Sequence, residues 1–156
     1  MNEEKIAKLC VKCLAEQPKN ITRCTVGHGN YVYIVELADR KVVVRCSQEE
    51  GAYKDTIYWL EKLETIDIPV PRVLGKGTFE DYEYLILTYF EGQDIGLVYT
   101  TLTDEEKRQI AKTVVEIQNR VSALKLEDVS EDWSWKEVYV EDVLTKAHGI
   151  TLPPGM

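Results

Sequence analysis

The 156-residue chain is predicted to fold as an α+β protein, with a five-stranded antiparallel sheet and one helix packed against it. One helix precedes this unit and two helices follow it. Three observations support the prediction: β-branched and aromatic runs between residues 21 and 46, a second pair of such runs between residues 73 and 89, and helical spacing of apolar residues around them. With 44% hydrophobic and 29% charged residues, the composition is typical of a globular protein.

The N-terminal part is predicted to contain one helix and three strands. Residues 3–16 carry five apolar side chains on one stripe of an amphipathic helix (Ile6, Leu9, Cys10, Cys13, Leu14). Three β-branched runs follow over residues 21–26, 31–37 and 41–46. Because the connections between them are short, we expect antiparallel hairpins.

A second helix and a second hairpin are predicted next. The helix spans residues 48–63, where four side chains share one face (Glu50, Tyr53, Ile57, Leu60). Strands at residues 73–74 and 83–89 form the hairpin. Residues 1–92 are therefore predicted to form one unit, and residues 93–156 a second, helical one.

The helical segment is predicted from two capping boxes. Thr103 and Glu106 begin a long helix, because their side chains can satisfy its first free N–H groups. Apolar residues then repeat every three to four positions (Ile110, Val114, Ile117, Val121). A similar box at Ser134 begins a last helix, which Gly149 ends.

Charge and hydropathy argue against several classes of protein. The chain has 19 Lys and Arg against 27 Asp and Glu residues, a net charge of −8, whereas nucleic-acid binding needs a basic face. Apolar runs are far shorter than the ~20 residues that span a bilayer. The charged start lacks the apolar core of a signal peptide. We therefore expect a cytoplasmic protein that binds neither nucleic acid nor membrane.

Cys10 and Cys13 form a C-x-x-C motif, but both lie on the apolar stripe of the first predicted helix. No second cysteine pair and no histidine stands at metal-binding spacing. This pattern favours core packing, and we predict no metal site.

Three passages in order carry a family resemblance: Gly27-His-Gly-Asn-Tyr-Val-Tyr-Ile-Val-Glu36, then Val43-Val-Arg45, then residues 68–74 with Tyr84-Leu-Ile-Leu-Thr-Tyr-Phe-Glu-Gly92. Together they resemble the aminoglycoside phosphotransferase family of small-molecule kinases, also called the choline-kinase-like group. The resemblance covers residues 21–124. It implies the N-terminal lobe of a protein-kinase-like fold, with ATP as the cofactor.

The first passage resembles the family's phosphate loop. Gly27 and Gly29 would let backbone N–H groups approach phosphate oxygens, because no Cβ stands in the way, and Asn30 would cap the same turn. Val32 stands where the protein-kinase pattern has a third glycine. The alternative is a tight hairpin in which glycine only supplies a positive φ.

Arg45 resembles the cation that holds the α- and β-phosphates, a position where kinases more often have lysine. Alternation along the strand places it on the face opposite Val44 and Cys46. The alternative is a strand arginine with its head group in water. Such a cation needs a carboxylate partner on the following helix, for which Glu50 is the first candidate and Glu49 the competitor.

Leu85 and four hinge residues after it (Leu87, Thr88, Tyr89, Phe90) resemble the strand and hinge that bracket adenine, with backbone groups reading the ring edge and apolar side chains covering its faces. A buried edge strand would show the same apolar run, so that alternative stays open.

No catalytic residue is predicted. The family's H-x-D…N loop and metal-binding Asp do not follow the hinge, and His148-Gly-Ile150 departs from His-Gly-Asp because Ile150 cannot bind a metal or accept a proton. We expect the chain alone to lack catalysis, and Mg²⁺ to matter only if a catalytic lobe is supplied elsewhere.

Two functions are consistent with these sequence features. The first is the nucleotide-binding part of a kinase that is truncated or split from its catalytic half. The second is an interaction module that keeps the shape of the lobe without binding nucleotide. In either case the apolar face of the helix over residues 104–123 is expected to bind a second chain or another copy, or to repack onto the sheet.

Overall fold

The computed structural model describes residues 1–24 and 31–124. Its elements follow the order α1 (Glu3–Leu14), β1 (Asn20–Cys24), β2 (Tyr31–Glu36), β3 (Lys41–Ser47), α2 (Lys54–Glu64), β4 (Val73–Phe79), β5 (Tyr82–Thr88), α3 (Ile95–Val98), a 3₁₀ turn (Tyr99–Thr101) and α4 (Asp104–Ser122). The five strands form one antiparallel sheet in the order β1-β2-β3-β5-β4. The predicted α+β fold is confirmed.

Helix α1 forms because its ends are capped and its apolar residues face one way. The side chain of Asn2 accepts the backbone N–H of Lys5 at 3.0 Å. Ala15 adopts a left-handed conformation (φ 57°) and donates its N–H to the carbonyl of Val11, so the helix ends at Leu14. The predicted stripe is confirmed, since Ile6, Leu9 and Cys10 are fully buried.

The two faces of the sheet pack against different helices. One face and α1 form the larger core cluster (Ile6, Leu9, Cys10, Tyr33, Val35, Leu37, Val42, Val44, Cys46, Ile86). The opposite face meets α2 and the turn before it, through a smaller cluster centred on Tyr53, Leu85 and Leu87. The sheet is thus covered on both faces where β3 and β5 run side by side.

Helix α2 begins later than predicted, at Lys54 and not at residue 48. Two side chains hold the preceding residues in a turn: the Ser47 hydroxyl accepts the N–H of Glu49 at 3.1 Å, and the Glu83 carboxylate accepts the N–H of Gly51 at 2.7 Å. Gly51 has a φ of +74°, which interrupts a right-handed helix. The predicted helical position of Glu50 is therefore wrong, because Glu50 lies in this turn.

Strand β4 is longer than predicted, because it continues through two glycines to Phe79. Gly77 has a φ of +148°, and a Cβ there would lie 3.3 Å from the hydroxyl of Tyr84 on β5. Glycine lets β4 pass close to this tyrosine ring, so the two glycines belong to the strand.

The segment after the hinge contains α3 and the 3₁₀ turn, which the sequence patterns did not predict. Helix α4 begins as predicted: Glu106 accepts the N–H of Thr103 at 2.8 Å, and the Thr103 hydroxyl accepts the N–H of Glu106 at 3.3 Å. None of the α4 residues is buried. The predicted last helix lies outside the described residues, and the predicted boundary after residue 92 stays a prediction.

No helix in the described part of the chain combines the length and apolar character needed to span a bilayer.

The buried thiols predict a loss of stability at alkaline pH. Burial raises the pKa of Cys10 from 9.0 to about 11 and that of Cys46 from 9.0 to about 12. Well below pH 9 both thiols are protonated in the folded and the unfolded protein, so their contribution is complete there. Above this pH only the unfolded chain loses these protons, and each thiol should lower the free energy of unfolding by about 1.4 kcal/mol per pH unit.

Urea unfolding at pH 8, 9 and 10 with a reducing agent measures this slope. The Cys46→Ala variant should be less stable at pH 8, because of the cavity, and should show a clearly shallower alkaline loss than the wild type. An identical slope in both proteins would contradict the prediction.

Candidate functional site

Within residues 1–24 and 31–124, no core cluster covers the β1–β2 half of the sheet face that carries α2. Along this face the strand register places Cys24, Val32 and Arg45 in one row across β1, β2 and β3, and Ile34 beside Val43 in the next row. Val32 and Ile34 are half-buried and belong to neither core cluster of the described chain. We call Val32, Ile34 and Val43 the open half-face; Val43 borders the smaller cluster and also packs against it. It is an apolar surface with a guanidinium at one end.

Arg45 lies on the face that alternation predicts, since Val44 and Cys46 pack in the opposite cluster with α1. Its side chain is half-buried, and its Cζ atom lies 5.3 Å from the centre of the Tyr53 ring. No ion pair of Arg45 is present within residues 1–24 and 31–124. The guanidinium thus contacts an aromatic face where the resemblance implied a carboxylate.

Glu49 and Glu50 are both exposed in the turn before α2. Neither forms an ion pair in the described structure. The choice between them as partners of Arg45 is therefore not decided by a contact.

Gly27, Gly29 and Asn30 lie outside the described residues, so their predicted phosphate contacts stay predictions. The residues on either side are described: Cys24 pairs with Val32, and Val32 pairs with Arg45. The chain therefore leaves β1 and enters β2 at the end of the sheet where Arg45 stands.

The four hinge residues have different environments. Leu87 is 6% exposed and pairs across the strands with Val43 of the open half-face. Thr88, at the end of β5, bonds to Arg72 through two groups: its N–H donates to the Arg72 carbonyl, and its hydroxyl accepts the Arg72 N–H. Lys41 Nζ lies 5.6 Å from the centre of the Tyr89 ring, and Phe90 is 56% exposed. The structure brings Arg45 and Leu87 to one face, with Phe90 beyond the end of β5.

A groove of about 600 Å³ lies beside the hinge (Glu64, Asp67, Ile68, Pro69, Val70, Arg72, Thr88, Phe90). The groove contains charged residues of both signs, and among them Arg72 Nε and a Glu64 carboxylate oxygen are 3.7 Å apart. It is separate from the open half-face and contains no residue of β2 or β3. Among the described residues, no group of three or more His, Cys, Asp or Glu side chains could hold a metal ion.

The sequence interpretation did not identify the open half-face or the role of Tyr53. The sequence pattern marks Val32 as the position of a missing glycine. Alternation from Arg45 along β3, together with pairing across the first hairpin, also places Val43 and Val32 on the same face of the sheet. The Arg45–Tyr53 contact had no local signal, because it depends on where α2 begins.

Comparisons with known proteins agree with this architecture. The family model described as phosphotransferase enzyme family matches residues 20–146. A crystal structure of a thermostable mutant of aminoglycoside phosphotransferase APH(4)-Ia, in a ternary complex with ADP and hygromycin B, aligns with a TM-score of 0.66 and 18% identity over 88% of this chain and 50% of that one. Another mutant, in a ternary complex with AMP-PNP and hygromycin B, aligns with a TM-score of 0.59 and 20% identity over 78% of this chain and 40% of that one.

At these identities the solved structures establish similarity of fold. The chain spans half or less of the length of each. A search of curated proteins found no match.

Proposed function

Because the chain belongs to the phosphotransferase enzyme family, we propose that it binds ATP as the N-terminal part of a small-molecule kinase. The observation that carries the proposal is the position of Arg45 at the end of the open half-face. A cation beside an apolar surface suits a ligand that has an anionic end and a flat apolar end. Such a protein would act in the cytoplasm, where ATP is available.

The open half-face fits the base of a nucleotide. Val32, Ile34 and Val43 are half-buried on adjacent strands, so a planar ring could cover them and remove their remaining apolar surface from water. Leu87 closes the side of this surface nearest the hinge. Only one face of the ring would be covered by these residues, so we expect weak binding.

Arg45 fits the phosphates. A guanidinium stays charged at any physiological pH and can donate to two phosphate oxygens at once. When bound, ATP would supply the phosphoryl group for transfer. The family's H-x-D…N loop and metal-binding Asp do not follow residue 92 in this sequence, so we propose that phosphoryl transfer needs residues supplied from elsewhere.

Thermal unfolding with nucleotide tests the proposal. Millimolar Mg-ATP or ADP should raise the melting temperature of the wild type, because a ligand that binds only the folded state stabilises it. Arg45→Ala should largely remove this shift. Lys54→Ala is the matched control, because Lys54 is an exposed cation at the start of α2, and it should keep the shift. The absence of any shift in the wild type would refute the proposal.

Helix α4 supports a second function, which is binding to another polypeptide. We propose that its apolar stripe (Ile110, Val114, Ile117, Val121) is a contact surface and that the isolated chain binds a second copy there. Val114 is 47% exposed and Val121 is 40% exposed. Their spacing of four, three and four residues is that of a coiled-coil seam. Of the four positions that flank the seam, Ala111, Thr113 and Gln118 are uncharged and Arg120 is charged, so most of the flank offers no repulsion to an approaching copy.

If the chain bound a partner but no nucleotide, the interaction module would be its function. Association that is insensitive to Arg45→Ala, together with no nucleotide shift in the wild type, would favour that alternative.

A further inference from the structure

We infer that Tyr53 is the positioning residue for Arg45, and that its ring holds the guanidinium where a kinase of this fold would use a carboxylate. The inference rests on the proposed binding of ATP, and it concerns how the phosphate-binding cation is held in place.

Arg45 Cζ lies 5.3 Å from the centre of the Tyr53 ring, which is within the range of cation–π attraction. Tyr53 is 2% exposed, while Arg45 is half-buried. The ring is therefore buried, and the guanidinium lies between this ring and solvent.

The Tyr53 ring is held in place by its neighbours. The Tyr53 carbonyl accepts the N–H of Ile57 at 2.9 Å, which ties the residue to the first turn of α2. Its ring packs in the cluster that contains Leu85, and Leu85 is the cross-strand partner of Arg45. The sheet and the helix thus fix the ring from two sides.

The partner of Arg45 decides whether its N–H donors are available to phosphate. A carboxylate partner would accept one or two guanidinium N–H groups and so compete with phosphate oxygens. An aromatic face attracts the positive charge without accepting these donors in the same way. Arg45 can then be held in place while its N–H groups remain available to an anion.

The ring is also insensitive to physiological pH. Burial raises the pKa of Tyr53 to about 12, and the nearby Arg45 opposes this shift only in part. The phenol therefore stays neutral, and its contact with Arg45 should not switch between pH 6 and pH 9.

Nucleotide titration of ring variants tests the inference, with the dissociation constant of Mg-ATP as the readout and circular dichroism to verify folding. Tyr53→Leu should weaken binding about fivefold, whereas Tyr53→Phe, which keeps the ring, should stay within about twofold of the wild type. Tyr58→Leu is the control on α2, because the ring contacts of Tyr58 are with Trp59 and Lys62, whereas the ring contact of Arg45 is with Tyr53. It should bind like the wild type.

A double-mutant cycle separates positioning from a general structural role. In the Arg45→Ala background, Tyr53→Leu should change the dissociation constant by less than about twofold, because the ring has no guanidinium left to hold. Additive losses would overturn the inference.

Equal binding by the wild type and Tyr53→Leu would also overturn it. If Arg45→Ala weakened binding at the same time, the proposed function would survive. If the wild type bound no Mg-ATP, the proposed function itself would fail.

Nuclear magnetic resonance of the wild type covers the case in which Tyr53→Leu does not fold. The side-chain protons of Arg45 should be shifted upfield by the ring current of Tyr53, both without and with Mg-ATP. Random-coil shifts for these protons would overturn the inference without any variant.

Discussion

Replacing Leu9 with aspartate is expected to lower the free energy of unfolding by more than about 4 kcal/mol, a large part of the total stability of a domain of this size. Leu9 is fully buried in the cluster that joins α1 to the sheet. An aspartate there would either bury a carboxylate without a partner or force α1 away from the sheet, and either outcome exposes apolar residues of the largest core cluster.

The matched control is Val11→Asp on the same helix. Val11 is 40% exposed, so its variant introduces the same carboxylate into the same helix without burying it. We expect it to lose at most about 1 kcal/mol. Urea unfolding followed by circular dichroism measures both. Similar losses in the two variants would mean that α1 does not cover the sheet in solution.

Replacing Val114 with aspartate is expected to convert a dimer of the chain into a monomer, with dimerisation weakened by at least about 100-fold. In a symmetric pair of α4 helices each substitution enters the interface twice, so two carboxylates would be buried close to each other. At tens of micromolar the wild type should sediment with twice the monomer mass.

Val115→Asp is the matched control for this prediction. Val115 is 53% exposed and next to Val114, but it lies about 100° around the helix, off the apolar stripe. It should stay dimeric. Because Val114 itself is half-exposed, the Val114→Asp monomer should remain folded. A wild type that sediments as a monomer at all concentrations would refute the second copy as the occupant of this stripe.

These two surfaces show why α1 and α4 behave differently although the sequence predicts both as amphipathic helices. The stripe of α1 meets the sheet and becomes core. In α4 only part of the stripe is sheltered, with Ile110 and Ile117 half-buried and Val114 and Val121 exposed. Periodicity predicts that a helix has an apolar side, but it does not say what will cover that side.

The sequence by itself determined the elements whose signals are local. Alternation along β3 placed Arg45 opposite Val44 and Cys46, the stripe of α1 placed Leu9 in the core, and the Thr103–Glu106 box began α4. These features depend on residues a few positions apart, so spacing is sufficient to predict them.

Only the tertiary structure decided the environment of Arg45. The start of α2 depends on the hydrogen bond from Gly51 to Glu83, a residue 32 positions away, and that start places Tyr53 and not Glu50 beside the guanidinium. The open half-face likewise depends on the pairing of β2 with β3 and on how far α2 reaches across the sheet. Contacts between distant residues set both features, and no spacing pattern within a single segment encodes them.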